Sequence, residues 1–106
     1  MSQATISMDD QGVIQISGIL DHNNGGPLRE QGQRLIQNSR ASKVQINCAG
    51  VTKSSSVGLA LLLAFMRDCQ SEGKAVELIQ LPEDMRKIAQ VCGLSDILGI
   101  EPGRFE

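Results

Sequence analysis

Apolar and polar residues alternate over two short stretches near the start of the chain, residues 4–8 and 13–17. Alternation with a period of two is the pattern of a strand with one buried face. The residues between them, DDQG (9–12), favour a turn, so the two stretches are predicted to pair as a hairpin. Gly18 follows directly and is predicted to interrupt the second strand as a bulge.

Helical spacing of apolar residues follows at three places. The first helix is predicted around Pro27, whose fixed backbone angle suits a first helical turn. Gly32 lies on its apolar face and costs about 1 kcal/mol of helix propensity relative to alanine, so we expect a close approach to the sheet there. The second helix is predicted at residues 56–72. The third begins at Pro82, and its predicted inner face is Met85, Ile88, Ala89 and Cys92.

Two further apolar stretches, KVQINCAG (43–50) and AVELIQL (75–81), read as strands that precede the second and third helices. The predicted order is therefore β-β-α-β-α-β-α. Strands connected through helices run parallel with right-handed crossovers, so we predict an α/β (α+β) fold with a mixed β-sheet that carries helices. Residues 1–106 are predicted to form a single domain, with a loose tail at 99–106.

The composition fits a globular domain and argues against nucleic-acid binding. Of the residues, 41% are apolar and 21% are charged, and the net charge is −2. No basic patch stands out, and the chain has no Trp or Tyr and only two Phe to stack on bases. Cys48, Cys69 and Cys92 are widely spaced with no secretory signal before them, so we expect buried thiols in a reducing compartment.

The residues needed for catalysis or metal binding are not brought together by any motif. A serine nucleophile needs a base, but the single histidine, His22, lies in a polar loop, and no G-x-S-x-G surrounds serines 54–56. No Cys or His pair has metal-ligand spacing, and the sequence around Gly73 and Lys74 lacks the rest of a phosphate-binding loop. We therefore expect no enzymatic activity, metal or cofactor.

The most informative stretch is VTKSSSVGLALLLAFM, residues 51–66, in which three serines run into an almost wholly apolar segment. That segment is far shorter than the roughly 20 residues that a membrane-spanning helix needs. One serine is expected to cap the helix. One apolar stripe of the helix is predicted to pack on the sheet; its residues are Leu59, Leu62, Leu63 and Met66.

Leu61 and Phe65 lie on another flank of the same helix. A single sheet cannot cover both sides, so this flank is either covered by the neighbouring helix or offered to a partner. A phosphate on Ser56 would lie at the helix N-terminus, where backbone amides and the helix dipole favour negative charge. Such a group would alter the surface and leave the fold intact, which is what a docking switch requires.

Three stretches of the chain resemble the STAS domain, the family of bacterial anti-sigma factor antagonists. They are SGILD before the first helix, VQINCAGVTKSSSVGLALLL in the middle, and IAQVCGLSDIL near the end. The family's turn typically reads Asp, then Ser or Thr, then a small residue, then Gly-Leu. In the alignment on Gly58 and Leu59, the hydroxyl position falls on Ser56 and the aspartate position on Ser55, while Val57 replaces the small residue.

Within the family, VGLALLLAFMRDCQSEGKAVEL is more similar to the MlaB-type subunit of the Mla phospholipid transporter than to sigma-pathway members. This resemblance implies a non-catalytic cytoplasmic subunit, held at the inner membrane by an ABC-type ATPase and, through it, the permease. Such a complex moves phospholipids between the membranes and maintains outer-membrane lipid asymmetry. No direct small-molecule substrate is expected, because the ATP site and the lipid path would belong to other subunits.

The leading hypothesis is that the domain binds this ATPase and stabilises or activates it. The expected docking surface joins the serine-rich turn to the outer flank of the following helix, and it contains Lys53, Ser54, Ser55, Ser56, Val57, Leu61 and Phe65. The alternative is an anti-sigma factor antagonist switched by phosphorylation at Ser56. Ser55 weakens that alternative, because in sigma-pathway members an aspartate there takes part in recognition by the kinase.

Overall fold

A computed structural model of the chain describes residues 4–93 and has its elements in the predicted order. The strands are β1 (Ala4–Met8), β2 (Val13–Leu20), β3 (Lys43–Ser54) and β4 (Ala75–Ile79). The helices are α1 (Gly25–Asn38), α2 (Ser56–Ser71) and α3 (Glu83–Val91). The predicted α/β fold is confirmed, and the loose tail predicted at 99–106 lies outside the described residues.

The four strands form one sheet in the order β1-β2-β3-β4. β1 is antiparallel to β2, and the other two pairs are parallel. Both crossovers step across the sheet in the same direction, so right-handed connections place α1 and α2 on one face. Strand burial agrees: Ile14 and Ile16 are buried towards the helices, whereas Gln15 between them is exposed on the opposite face.

The predicted bulge at Gly18 is confirmed. Gly18 has φ +96°, a conformation that glycine adopts without the steric cost of a Cβ, and the pairing of β2 with β3 changes register beside it. The strand does not end there, as the alternation alone suggested, but continues to Leu20, which is fully buried. This extension brings the end of β2 beside the end of β3.

Gly32 allows α1 to pack closely on α2. A Cβ placed on Gly32 would lie 2.4 Å from Cε1 and 2.5 Å from Cζ of Phe65, and 3.1 Å from Cδ1 of Ile6. The expected close approach therefore exists, but its nearest partner is an aromatic ring of α2, and the sheet comes second through Ile6 of β1. The missing side chain makes room for the ring.

The docking hypothesis placed Leu61 and Phe65 on an outward-facing flank of the second helix, and this placement is wrong. Phe65 has no exposed surface and Leu61 is only 5% exposed. The reason is that α1 lies against this flank of α2, so the neighbouring helix covers the apolar surface that the sheet leaves uncovered. The sequence allowed this flank either to be buried under the neighbouring helix or to be exposed to a partner, and the structure shows burial under the neighbouring helix.

The cysteines divide into two buried and one exposed. Burial raises the pKa of the Cys48 thiol to about 12, and burial followed by the nearby Asp68 charge raises the pKa of Cys69. Cys92 is exposed, so its predicted place on the inner face of α3 is wrong. The helix ends at Val91, and Cys92 follows it as the C-cap residue.

Thiol labelling of the native protein is expected to modify Cys92 rapidly and to leave Cys48 and Cys69 unmodified. The thiolate is the reactive form, and burial both hides the two inner sulfurs and disfavours their ionisation. Intact mass after brief maleimide treatment should show one adduct without denaturant and three with it. Cys92→Ser should remove the native adduct, and a second rapid adduct in the native protein would contradict the described burial.

Candidate functional site

The serine-rich turn, hereafter the serine turn (residues 53–57), lies where the parallel strands of the sheet end. Leu20 and Ser54, the last residues of β2 and β3, are partners in the pairing of these strands. The backbone N–H of Ser55 donates to the carbonyl oxygen of Leu20 at 3.0 Å, and its Oγ–H donates to the same oxygen at 3.4 Å. The serine turn is thereby held to the neighbouring strand.

The three serines have different structural roles. Ser55 is the N-cap of α2, and its Oγ accepts a hydrogen bond from the backbone N–H of Val57 at 3.2 Å, so the expected serine cap is confirmed. Ser54 Oγ donates to the carbonyl oxygen of Ser55 at 2.8 Å. Ser56 is the first residue of α2 and is exposed, and its hydroxyl makes no hydrogen bond within residues 4–93.

Gly58 explains how the first turn of α2 passes so close to the strand ends. A Cβ on Gly58 would lie 2.1 Å from Ser54 Oγ, 3.2 Å from Met85 Cε and 3.3 Å from Leu20 Cδ1. A side chain here would therefore force the Ser54 hydroxyl to move and would crowd the ends of the Met85 and Leu20 side chains. The absence of a side chain at Gly58 thus lets the start of α2 lie close to the ends of β2 and β3.

The predicted site residues do not all share one surface. Lys53, Ser55 and Ser56 are exposed, and Ser54 and Val57 are half-buried, so the five residues of the serine turn do lie together. Lys53 makes no ion pair with any residue that the structure describes. The two remaining predicted residues, Leu61 and Phe65, are in the interior, and Phe65 does not reach this surface.

Sequence reasoning missed a groove beside the serine turn, with a volume of about 410 Å³. It runs between the N-terminal ends of α1 and α2, and we call it the interhelical groove. It is lined by His22, Gly25, Gly26, Arg29, Val57, Ala60 and Leu61. The available signal in the sequence was the pair Gly25-Gly26 ahead of Pro27, which forms the first two residues of α1.

Arg29 joins the two helices that form the groove. Its guanidinium donates two hydrogen bonds to the Asp68 carboxylate on α2, NH1 to Oδ2 at 2.5 Å and NH2 to Oδ1 at 3.1 Å. Side-chain exposure is 35% for Arg29 and 11% for Asp68. A paired, planar contact of this kind fixes orientation as well as distance, so it holds α1 in place along α2.

Within residues 4–93, no three His, Cys, Asp or Glu side chains group closely enough to hold a metal ion. The described helices include none with the length and apolar character needed to cross a bilayer. His22 is exposed in the turn before α1, at the rim of the interhelical groove. The serine turn and the interhelical groove present hydroxyls, a lysine ammonium, a guanidinium, an imidazole, backbone amides and apolar side chains.

Comparison with known families decides what kind of domain carries this surface. Residues 4–99 match the profile of the family described as "Mlab, STAS domain". The chain belongs to this STAS family. The chain is also similar to the intermembrane phospholipid transport system binding protein MlaB of Haemophilus influenzae, with 29% identity over 90 residues that cover 83% of this chain and 86% of that protein.

Solved structures support the STAS fold independently. An anti-sigma factor antagonist from Mycobacterium paratuberculosis superposes with a TM-score of 0.77 at 20% identity, covering 95% of this chain and 87% of that one. The anti-sigma factor antagonist SpoIIAA in its unphosphorylated form has a TM-score of 0.69 at 22% identity, with 88% and 83% coverage. The phosphorylated Bacillus SpoIIAA gives 0.63 at 24% identity, with 88% and 86% coverage. Because all three identities are below 25%, these similarities show a shared fold and nothing about function.

Proposed function

We propose that this STAS domain is a non-catalytic subunit of an inner-membrane ABC complex that transports phospholipids and maintains outer-membrane lipid asymmetry. It binds the ATPase subunit through the serine turn and stabilises or activates it, and this contact holds the domain at the cytoplasmic side of the membrane. The observation that carries the proposal is the exposed serine turn, fixed in place by the capped start of α2, in a chain related to a phospholipid transport binding protein.

The geometry of the serine turn favours protein recognition. Its backbone is held by the Ser55 contacts to Leu20 and Val57, so little conformational entropy is lost when a partner orders against it. Lys53 and Ser56 project from this fixed frame with no competing partner in the described chain. Exposed polar groups on a rigid base of half-buried side chains are typical of a docking surface rather than of a pocket for a small molecule.

A second candidate function is that of an anti-sigma factor antagonist with Ser56 as its phospho-acceptor. The exposed hydroxyl of Ser56 at the start of α2 favours it, because the helix N-terminus accepts negative charge there. The position of the family's aspartate argues against it, since Ser55 carries no charge and its hydroxyl caps the helix. Incubation with a cognate anti-sigma kinase and ATP would give a one-phosphate mass increase, lost in Ser56→Ala, if this function were correct.

Ser56→Arg is expected to release the ATPase, because a large cation at the centre of the serine turn cannot fit against a surface shaped for a serine. Loss of one central contact amounts to about 2 kcal/mol or more, roughly a 30-fold increase in Kd. The measurement is the Kd for the purified ATPase subunit of the same organism's phospholipid transporter. Thermal unfolding of the isolated variant should change little, since an arginine in a first helical turn costs only about 0.3–1 kcal/mol.

Ser71→Arg is the matched control. Ser71 is exposed at the other end of α2, so the same chemical change is made on the same helix far from the serine turn. Wild-type affinity is expected for this variant. Full-strength binding by Ser56→Arg as well would remove the serine turn from the interface and overturn the proposed docking mode.

A further inference from the structure

The interhelical groove is continuous with the serine turn, because Val57 belongs to both. Ala60 lies one helical turn farther along α2 and is exposed, and the nearly buried Leu61 contributes to the lining. The α1 side is formed by the backbone of Gly25 and Gly26 and by Arg29. A Cβ on Gly25 would lie 3.1 Å from Val57 Cγ1, whereas one on Gly26 would meet nothing within 4 Å. The groove therefore narrows at Gly25 and stays open at Gly26.

The α2 side of the groove is lined by small or medium-sized apolar side chains. Val57, Ala60 and Leu61 face two residues that have no side chains, so a side chain from another molecule can reach the helix surface. Burial of such a side chain is favourable in proportion to the apolar area removed from water. The shape and composition suit one aliphatic or aromatic side chain presented by a partner.

The charge distribution around the groove differs from that of the protein as a whole. The net charge of the chain is −2, yet no carboxylate from residues 4–93 lines the groove. Arg29 lines the groove, but its guanidinium is already paired with the Asp68 carboxylate. The exposed Lys53 of the adjoining serine turn makes no ion pair within the described chain, so its ammonium is the side-chain charge offered to a partner. Helices α1 and α2 both begin here, and their N-terminal ends add partial positive charge.

We propose that the interhelical groove is a second part of the docking surface and binds a segment of the partner ATPase in which an apolar side chain stands next to a carboxylate. The apolar side chain lies between Gly26 and Ala60, and the carboxylate faces the positive helix ends and Lys53. This inference rests on the proposed function and specifies the chemistry of the partner. If the inference is correct, the affinity for the ATPase subunit must depend on the sign of a charge introduced into the groove.

Substitutions at Ala60 test this requirement because the residue is exposed and lines the groove. Ala60→Glu and Ala60→Lys add similar bulk with opposite charge, and both residues are good helix formers. Ala60→Glu is expected to weaken binding of the purified ATPase subunit by about tenfold or more through like-charge repulsion. Ala60→Lys is expected to bind at least about fivefold more tightly than Ala60→Glu, since its longer side chain offers an attractive charge.

Two further variants separate filling of the groove from other effects. Gly26→Leu fills the open part of the groove with an uncharged side chain, and nothing lies within 4 Å of the new Cβ to disturb the fold. It is expected to weaken binding. Gln70→Glu is the control for Ala60→Glu, because it adds the same negative charge at an exposed position near the far end of α2. It is expected to bind the ATPase subunit with wild-type affinity. Thermal unfolding of each free variant checks that the domain is intact.

The outcomes distinguish this inference from the function on which it rests. Equal weakening by Ala60→Glu and Ala60→Lys would overturn the acidic partner segment. Wild-type affinity for Ala60→Glu and Gly26→Leu, with binding still lost in Ser56→Arg, would overturn the groove and leave the serine turn as the docking site. Wild-type affinity for all of these variants, Ser56→Arg included, would overturn both.

Discussion

Gly32→Ala is expected to lower the free energy of unfolding by about 1–2 kcal/mol, although alanine is the better helix former. The new Cβ would have to occupy a position 2.4 Å from a ring carbon of Phe65, whose side chain has no exposed surface into which it could move. Overpacking costs about 1–3 kcal/mol, and the upper half of that range applies here because the enclosed ring cannot move aside. The gain in helix propensity of about 1 kcal/mol then leaves a net loss of about 1–2 kcal/mol.

Gly26→Ala is the matched control for this prediction, since both glycines belong to α1 and only Gly32 is enclosed. Denaturant unfolding should show no loss of stability for Gly26→Ala. In a double-mutant cycle, Phe65→Leu should be less harmful in the Gly32→Ala background than alone, because the smaller side chain leaves room for the methyl group. Additive losses, or a Gly32→Ala variant as stable as wild type, would contradict the close contact between α1 and α2.

Arg29→Ala is expected to destabilise the domain by about 1–3 kcal/mol, because it leaves the nearly buried carboxylate of Asp68 without its partner. Removal of one member of a fully buried pair costs more, about 3–5 kcal/mol. The lower figure applies here because 35% of the Arg29 side chain is exposed, and water screens the contact. Chemical denaturation of the isolated variant measures the loss.

The companion variant replaces both partners, Arg29→Met together with Asp68→Leu. It is expected to be far more stable than Arg29→Ala, since no charge is left unpaired and the apolar side chains can pack between the helices. If the double variant were instead as unstable as Arg29→Ala, the explanation would be wrong. The loss of stability would then come from losing the attraction between Arg29 and Asp68, and not from leaving the Asp68 charge unpaired. Because Arg29 also lines the interhelical groove, neither variant is suited to measuring ATPase binding.

The burial of Phe65 changes how docking variants must be designed. A substitution at Phe65 would disrupt its packing against Gly32 and lower the stability of the domain. Loss of partner binding in such a variant would therefore reflect unfolding and not a lost contact with the partner. Ser56 and Ala60 are free of this difficulty, because both side chains are exposed on the same helix. The docking surface proposed here is therefore made of the serine turn and the groove beside it, without the interior flank.

Local patterns in the sequence were sufficient for the order and type of the elements. The alternation in β1 and β2, the helical spacing after Pro27 and the serine cap each depend on interactions between residues close in the chain. Such interactions are similar wherever the element lies in the fold.

The tertiary structure decided which apolar surfaces are covered and which charges meet. Helical spacing placed Leu61 and Phe65 on one flank, but only the packing of α1, made possible by Gly32, determined that this flank is internal. The pairing of Arg29 with Asp68 and the interhelical groove likewise join residues distant in the chain. The physical reason is that periodicity reports which residues share a face, whereas burial depends on which element lies against that face.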